Sequence, residues 1–171
     1  MTVNYANRGK KFESLLDYTN NIYKQKGVAL INKRPTPVQI IRTKNGRITQ
    51  ATYSKKSTVD YDGVFNGKPI VFEAKSTNGK SIPLNLIQDH QIDYLLNAEQ
   101  HGAISFLIVH FKELDETYVL SNQIVLDYVE NAKKGGRKSI PIKEFKDNGI
   151  KVESNDGVPL DYLGAMACST K

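Results

Sequence analysis

Thr58–Lys75 reads TVDYDGVFNGKPIVFEAK, two short β-prone runs on either side of Asn66-Gly67. Asn-Gly between alternating apolar runs is the strongest short-range signal for a two-residue type I′ hairpin turn. A tight turn sets Phe65 against Lys68 and, counting back, Asp60 against Glu73 and Thr58 against Lys75. Side chains directly opposite on one face of such a pair have Cβ atoms about 5 Å apart. Lys75 lies two residues beyond Glu73 and shares its face. Ile70, Phe72 and Ala74 take the other face and read as core. The hairpin therefore gathers two carboxylates, a lysine and a hydroxyl in one patch, and facing carboxylates repel unless a cation stands between them. Pro69 fits the same register, its missing N–H turned away from the partner strand, so that strand edge is open locally.

A Glu-x-Lys on a strand is by itself most often a solvated face. What is specific here is the combination: Asp opposite Glu, Lys two residues on, a tight turn between them and an apolar reverse face.

At 171 residues, 39% hydrophobic and 25% charged, the chain has the length and composition of one domain with a proper core. It contains no apolar run long enough to span a membrane, and its first residues, MTVNYANRGKK, hold no apolar stretch of the kind a secretory leader carries. A single cysteine, Cys168, excludes an internal disulfide and fits a reducing cytoplasm; three residues from the end and with no histidine near it in sequence, it reads as a tail thiol rather than a nucleophile. The net charge of +6 is unevenly spread: residues 1–57 hold 12 Lys and Arg against two acids, Glu13 and Asp17, while the remainder is acidic. Such asymmetry points to a polyanionic partner, most simply nucleic acid.

Lys10 to about Gln25 carries apolar residues at helical spacing and ends at Gly27. Glu13 sits at the border of that stripe, either a first-turn acid favoured by the helix dipole or a group turned toward the carboxylate patch. Val28–Ile31 reads as a short buried strand. Lys33–Lys56, KRPTPVQIIRTKNGRITQATYSKK, holds seven Lys or Arg and no acid; its two prolines break any helix, and Asn45-Gly46 signals a second hairpin between β-prone runs, long enough to project. Beyond the central hairpin, Ser76–Ser81 reads as a loop and Pro83 opens a helix to about Ala98. Gln91 lies on the apolar stripe of that helix and must find a partner, by default a structural hydrogen bond, otherwise a role in the site. Ile104–Val109 reads as a strand buried on both faces, Tyr118–Leu120 as a returning strand, Asn122 to about Ala132 as a helix capped by Ser121, Lys133–Lys138 as a basic glycine loop and Ile150–Val152 as a minor strand. The order gives an α/β fold, a mixed β-sheet flanked by helices on both faces. It forms one domain, 1–171, with a flexible arm at 1–9, the hairpin inserted at 33–56 and a loose tail at 164–171.

Asp60 and Glu73 supply the oxygen ligands that suit Mg²⁺, which keeps waters available for chemistry, and Lys75 would orient such a water or stabilise a pentavalent phosphate. His90, His101, His110 and Cys168 lack zinc-ligand spacing. No Walker loop or GxGxxG is present, so neither ATP nor a dinucleotide is implied.

Asp60 followed by Glu73-Ala74-Lys75 resembles the PD-(D/E)xK nuclease motif, with Val59 where the family name has proline. More closely, the chain resembles RecU-type Holliday-junction resolvases of Gram-positive bacteria and their phages, and its short arm fits a phage-encoded version. The segments that carry the likeness are Asn7-Arg8-Gly9, KRPTPVQI (Lys33–Ile40), STVDYDG (Ser57–Gly63), FEAKST (Phe72–Thr77), DHQI (Asp89–Ile92) and GRKSI (Gly136–Ile140). The resemblance implies a restriction-endonuclease-like core with the basic β-hairpin as a stalk. It implies a magnesium-dependent endonuclease, with Mn²⁺ able to substitute, that resolves four-way DNA junctions by paired symmetric nicks in recombination and repair. Such an enzyme works as a homodimer, alongside branch-migration or recombinase proteins. The metal ligands carry over to Thr58, Asp60, Glu73 and Gln91, and Lys75 to the transition state. Glu13 matches an acid on the first helix of related nucleases. DNA contacts would come from Arg8, Lys33, Arg34, Arg42, Lys44, Arg47, Lys55 and Lys56 of the basic first third, with Arg137 and Lys138 of the glycine loop. Two rivals stand beside this reading: a non-catalytic DNA-binding or strand-annealing factor, and a PD-(D/E)xK nuclease acting on another DNA substrate.

Overall fold

The central hairpin forms in the expected register. In the computed structural model, which describes residues 10–53 and 58–169, β4 (Tyr61–Phe65) and β5 (Lys68–Thr77) pair antiparallel from Phe65↔Lys68 to Tyr61↔Phe72. Asn66 and Gly67 both take positive φ, +50° and +73°, as a type I′ turn demands. The ladder stops at Tyr61, one residue short of Asp60.

Around this hairpin stands a six-stranded sheet in the order β1-β4-β5-β7-β8-β10, with β1 at Ala29–Lys33, β7 at Ile104–Phe111, β8 at Glu116–Leu120 and β10 at Ile150–Val152. Only β5 and β7 are parallel. Parallel neighbours need a crossover, and α2 (Asp89–Gln100) provides it. β7 begins pairing at Ile70↔Ile104, so Pro69 lies just outside that ladder and costs it no hydrogen bond.

Both faces of the sheet are covered. On one, α1 (Lys10–Gln25) buries Phe12, Leu16 and Tyr23 against Ile70, Phe72, Ala74 and Phe106. Tyr61, Phe72 and Phe106 stack across β4, β5 and β7 with ring centroids 4.8 and 4.9 Å apart; such pairs contribute about 0.5–1.5 kcal/mol beyond area burial. On the other face, α2 and α3 (Asn122–Lys133) cover Leu107, Val109 and Leu120. Residues 164–169 depart from the expected tail: Tyr162–Ser169 form a helix, α5, and its first turn is locked down. The Tyr162 hydroxyl donates to Asn20 Oδ1 at 2.5 Å and the Tyr23 hydroxyl to Asp161 Oδ1 at 2.9 Å.

Two further elements are absent from the sequence reading. Ser81–Pro83 (β6) and Ser139–Pro141 (β9) pair antiparallel as a small second sheet, and Ile142–Asn148 form a short helix, α4, whose Phe145 is fully buried. The β6 pairing displaces the start of the crossover helix: a single 3-10 turn occupies Leu84–Leu86, and the α-helix begins at Asp89 rather than Pro83.

The basic hairpin is β2 (Val38–Lys44) and β3 (Arg47–Tyr53), a two-stranded sheet of its own. Asn45 and Gly46 take φ +50° and +73°, a second I′ turn. All of its strand residues are exposed. It starts later than expected, because Lys33 is still paired with Tyr61 inside the main sheet. Among the described residues no helix is long and apolar enough to cross a membrane.

Candidate active site

Asp60, Glu73, Lys75 and Gln91 converge where β4, β5 and α2 meet. Asp60 lies just off the end of β4, and Glu73 and Lys75 are on β5. The two carboxylates do not simply face each other across a ladder. Instead each grips the other strand's backbone: the Asp60 N–H donates to Glu73 Oε2 at 3.1 Å, and the Ala74 N–H donates to Asp60 Oδ2 at 3.2 Å. These bonds hold the pair together past the last ladder step.

Glu73 is completely buried. Its Oε1 receives the Lys75 ammonium at 2.7 Å and the Gln91 Nε2 at 2.6 Å. Burial pushes the Glu73 carboxyl up to about 8; the neighbouring Lys75 charge opposes this and the Asp60 charge adds to it. The sequence expectation that a cation must stand at these carboxylates is met in part by Lys75 itself.

Gln91 reaches Glu73 because it is the third residue of α2. Its Oε1 accepts the Gln88 N–H at 3.0 Å, one half of a reciprocal capping box with Gln88, which satisfies orphan donors at the helix start. One amide thus fixes both the helix terminus and the buried carboxylate. The contact is the structural hydrogen bond expected by default, and it is made to a residue of the candidate site.

Thr58 is not a ladder partner of Lys75, because the β4–β5 pairing ends at Tyr61↔Phe72. The Thr58 hydroxyl is instead engaged by Arg34 Nη1. Glu13 on α1 pairs with Lys33 at 2.6 Å. Burial works against the Lys33 charge, but the Glu13 contact together with the Asp17 and Asp60 charges outweighs it and raises its pKa. The Glu13–Lys33 pair therefore borders the carboxylate site.

The donor set fits a hard divalent cation. Its oxygens are those of the two carboxylates, the Thr58 hydroxyl and nearby carbonyls; the Gln91 oxygen is turned to the Gln88 N–H and its Nε2 to Glu73. Two carboxylates that raise each other's energy in a buried setting would be relieved by such an ion. No three of His, Cys, Asp and Glu cluster to hold a metal among the described residues, so neutral oxygens and water would complete the coordination, as Mg²⁺ tolerates well.

The basic residues fall in three places. Arg42, Lys44 and Arg47 stand exposed at the far end of the β2–β3 hairpin. Lys33 and Arg34 stand at its root, tied into the site. Arg137 and Lys138 are exposed just before β9, and Lys138 lines an open cleft of about 990 Å³ with Asp89, His90 and Asp93 of α2, a cleft that neither Asp60 nor Glu73 lines. Arg8, Lys55 and Lys56 lie outside the described residues. The sequence reading passed over Asp62 and Tyr94, the partners of Arg34; Asp62 is two residues from Asp60, and that spacing was the available signal.

The family model described as Recombination protein U matches residues 7–168. The chain is 38% identical over 167 residues to the Holliday junction resolvase RecU of Lactococcus lactis subsp. lactis (strain IL1403), covering 94% of this chain and 78% of that protein. It is 39% identical over 169 residues to the protein of the same name from Geobacillus sp. (strain WCH70), covering 95% and 84%, and 39% identical over 168 residues to that of Geobacillus kaustophilus (strain HTA426), again covering 95% and 84%.

Proposed function

Because this chain belongs to the RecU family, we propose that the Asp60–Glu73–Lys75–Gln91 cluster is the active site of an endodeoxyribonuclease that resolves four-way DNA junctions. The observation that carries the assignment is the fully buried Glu73, held by Lys75 and Gln91 and joined to Asp60 through reciprocal main-chain bonds. A strand face meant only for solvent has no use for a buried carboxylate with three fitted partners, since burying charge is costly unless it is paired. This speaks against the non-catalytic reading.

Asp60 and Glu73 would hold the metal ion, Mg²⁺ by choice with Mn²⁺ able to substitute, and Thr58 would join them; Gln91 would ligate only with its amide turned over, since its oxygen accepts the Gln88 N–H. A bound divalent ion supplies an activated water and offsets charge on the phosphate. Lys75 holds its ammonium at Glu73 with only a fifth of its side chain exposed, placed to donate to a phosphate oxygen as negative charge builds there. Gln91 keeps the Glu73 carboxylate from rotating. The exposed β2–β3 hairpin supplies positive charge and a projecting shape for the open centre of a junction. A symmetric homodimer would bring two equivalent sites to opposed strands, as paired nicks require.

The test compares cleavage of a synthetic four-way junction, a duplex and a flap, with and without Mg²⁺, by the wild type and by Asp60→Asn and Glu73→Gln. The wild type is expected to make paired nicks in the junction only when the metal is present. Both variants are expected to lose cleavage and keep junction binding. Full cleavage by either variant would overturn the site, and a preference for flap or duplex would overturn the substrate.

A further inference from the structure

We propose that Arg34 is a positioning residue: it latches the Thr58–Asp60 segment onto the end of β1 and so sets where the Asp60 carboxylate stands. The inference rests on the metal site proposed above. By sequence, Arg34 reads as one more DNA-binding cation in a basic stretch, but its surroundings say otherwise.

All three guanidinium nitrogens are engaged within the protein. Nε and Nη2 both lie 2.8 Å from Asp62 Oδ2 on β4. Nη1 donates to the Thr58 hydroxyl, and Nη2 also donates to the Tyr94 hydroxyl at 3.2 Å. The guanidinium carbon stands 5.3 Å from the centre of the Tyr94 ring, within range of a cation–π contact. The Arg34 main chain takes part as well, its N–H donating to the Asp60 carbonyl at 2.8 Å. That bond lies one step past the last β1–β4 pair, Lys33↔Tyr61. Arg34 therefore binds Asp60 by backbone, flanks it on both sides through Thr58 and Asp62, and touches α2, the helix that brings Gln91 to Glu73.

Such a set of donors calls for arginine in particular. A planar fork can serve a carboxylate, a hydroxyl and an aromatic ring at once, whereas an ammonium is a point charge on a flexible stem. With its nitrogens committed, Arg34 has little left to offer a DNA phosphate. Its place in the chain adds a consequence. Pro35-Thr36-Pro37 are all that separate it from β2, and proline fixes φ at two of the three positions. The latch thus sits at the root of the hairpin, where a shift of the hairpin would reach the Asp60 segment over a short, stiff span.

The two roles of Arg34 separate experimentally. The variants are Arg34→Met, Arg34→Lys and Asp62→Asn, with Asp60→Asn as the control for the metal site. Three quantities are measured: Mn²⁺ binding to the DNA-free protein by calorimetry, junction affinity without divalent metal at several salt concentrations, and single-turnover cleavage against Mg²⁺ concentration. Loss of a partner that orients a metal ligand typically costs about 10–100-fold in metal affinity or activity. Arg34→Met and Asp62→Asn are expected to weaken Mn²⁺ binding and raise the Mg²⁺ needed for half-maximal cleavage by that factor. Junction affinity and its salt dependence should stay as in the wild type, and Arg34→Lys should not restore metal affinity. A phosphate contact predicts the reverse: unchanged Mn²⁺ binding, weaker junction binding with a flatter salt slope in Arg34→Met, rescue by Arg34→Lys, and tighter junction binding in Asp62→Asn as Arg34 is freed. That pattern would overturn the proposal, and Asp62→Asn decides it alone should Arg34→Met fail to fold. Unchanged Mn²⁺ binding in Asp60→Asn would instead overturn the metal site and Arg34's role with it. Loss in Asp60→Asn beside unchanged binding in Arg34→Met and Asp62→Asn would overturn Arg34's role alone.

Discussion

Replacing Arg42, Lys44 and Arg47 with alanine separates what the hairpin does from what the carboxylate site does. The three positions surround the Asn45-Gly46 turn, with Lys44 paired to Arg47 across the last step of the β2–β3 ladder. All three are exposed, and none forms an ion pair among the described residues. Their charge is therefore available to DNA, and removing it leaves no buried partner stranded. Each phosphate neutralised by a protein cation adds about 0.9 to the slope of log K against log salt. Losing three such contacts flattens the slope by about 2.7 for each hairpin bound, so that a fourfold rise in salt costs the variant roughly 40-fold less affinity than it costs the wild type. The turn residues are untouched, so thermal stability should hold. The assay is a titration of junction and duplex over a range of salt concentrations, paired with single-turnover cleavage at saturating protein. Binding should weaken, most at low salt, and cleavage of the bound junction should persist. If junction preference falls while the salt slope stays, the hairpin reads shape without contacting phosphate. Unchanged affinity and unchanged preference would refute any role for the hairpin, even with the nuclease site intact.

Lys75→Ala should lose about 10²–10³-fold in the chemical step, the usual cost of removing one preorganised donor to a developing oxyanion; single-turnover rates at saturating protein show this, and a loss confined to binding would make Lys75 a mere phosphate contact. Gly63→Ala should destabilise the protein without touching a charged group. A Cβ at Gly63 would come 2.0 Å from the Leu30 carbonyl oxygen and 2.7 Å from the Ile31 Cα, both backbone atoms that move only if β1 leaves β4. Overpacking of this kind costs about 1–3 kcal/mol, or a melting temperature lower by roughly 2–12 °C for a chain of this size. A melting temperature equal to the wild type's would show that the β1–β4 spacing is looser than described.

The parts of the fold that could be read in advance were those fixed locally. Each Asn-Gly turn sets the register of the pairs beside it: the central hairpin keeps that register to Tyr61↔Phe72, while β2–β3 holds it through Thr43↔Ile48 and turns irregular at Arg42. The continuous apolar run at Ile104–Val109 marks a strand buried on both faces, as β7 is. What escaped depended on partners distant in sequence. Pro83 is a good first residue for a helix, but Ile82 pairs with Ile140 and the Leu84 N–H donates to the Lys138 carbonyl at 3.1 Å; a strand pairing more than fifty residues away overrides the local preference. The final helix was missed for a similar reason. Tyr162-Leu163-Gly164-Ala165-Met166-Ala167 shows no polar face from which to count a period, and it is held by Tyr23 and Asn20 of α1.

At the site, residue types were legible and the connections among them were not. The hairpin register predicts that Asp60 and Glu73 come close, which they do, but it predicts a facing pair. A facing pair of carboxylates would leave their repulsion to a metal ion and the Lys75 ammonium. The structure divides that burden: Ala74 donates a main-chain N–H to Asp60, Asp60 donates its own to Glu73, and Lys75 and Gln91 meet at Glu73 Oε1. The bond from Asp60 to Glu73 needs the ladder to end at Tyr61 so that the Asp60 N–H is free for a side chain, and nothing in the sequence marks that ending. Arg34 does: its main chain takes up the Asp60 carbonyl and its side chain holds Thr58 and Asp62. Arg34, one of the residues read as a DNA contact, is on the proposal above the one that ties the first carboxylate's segment to the end of β1.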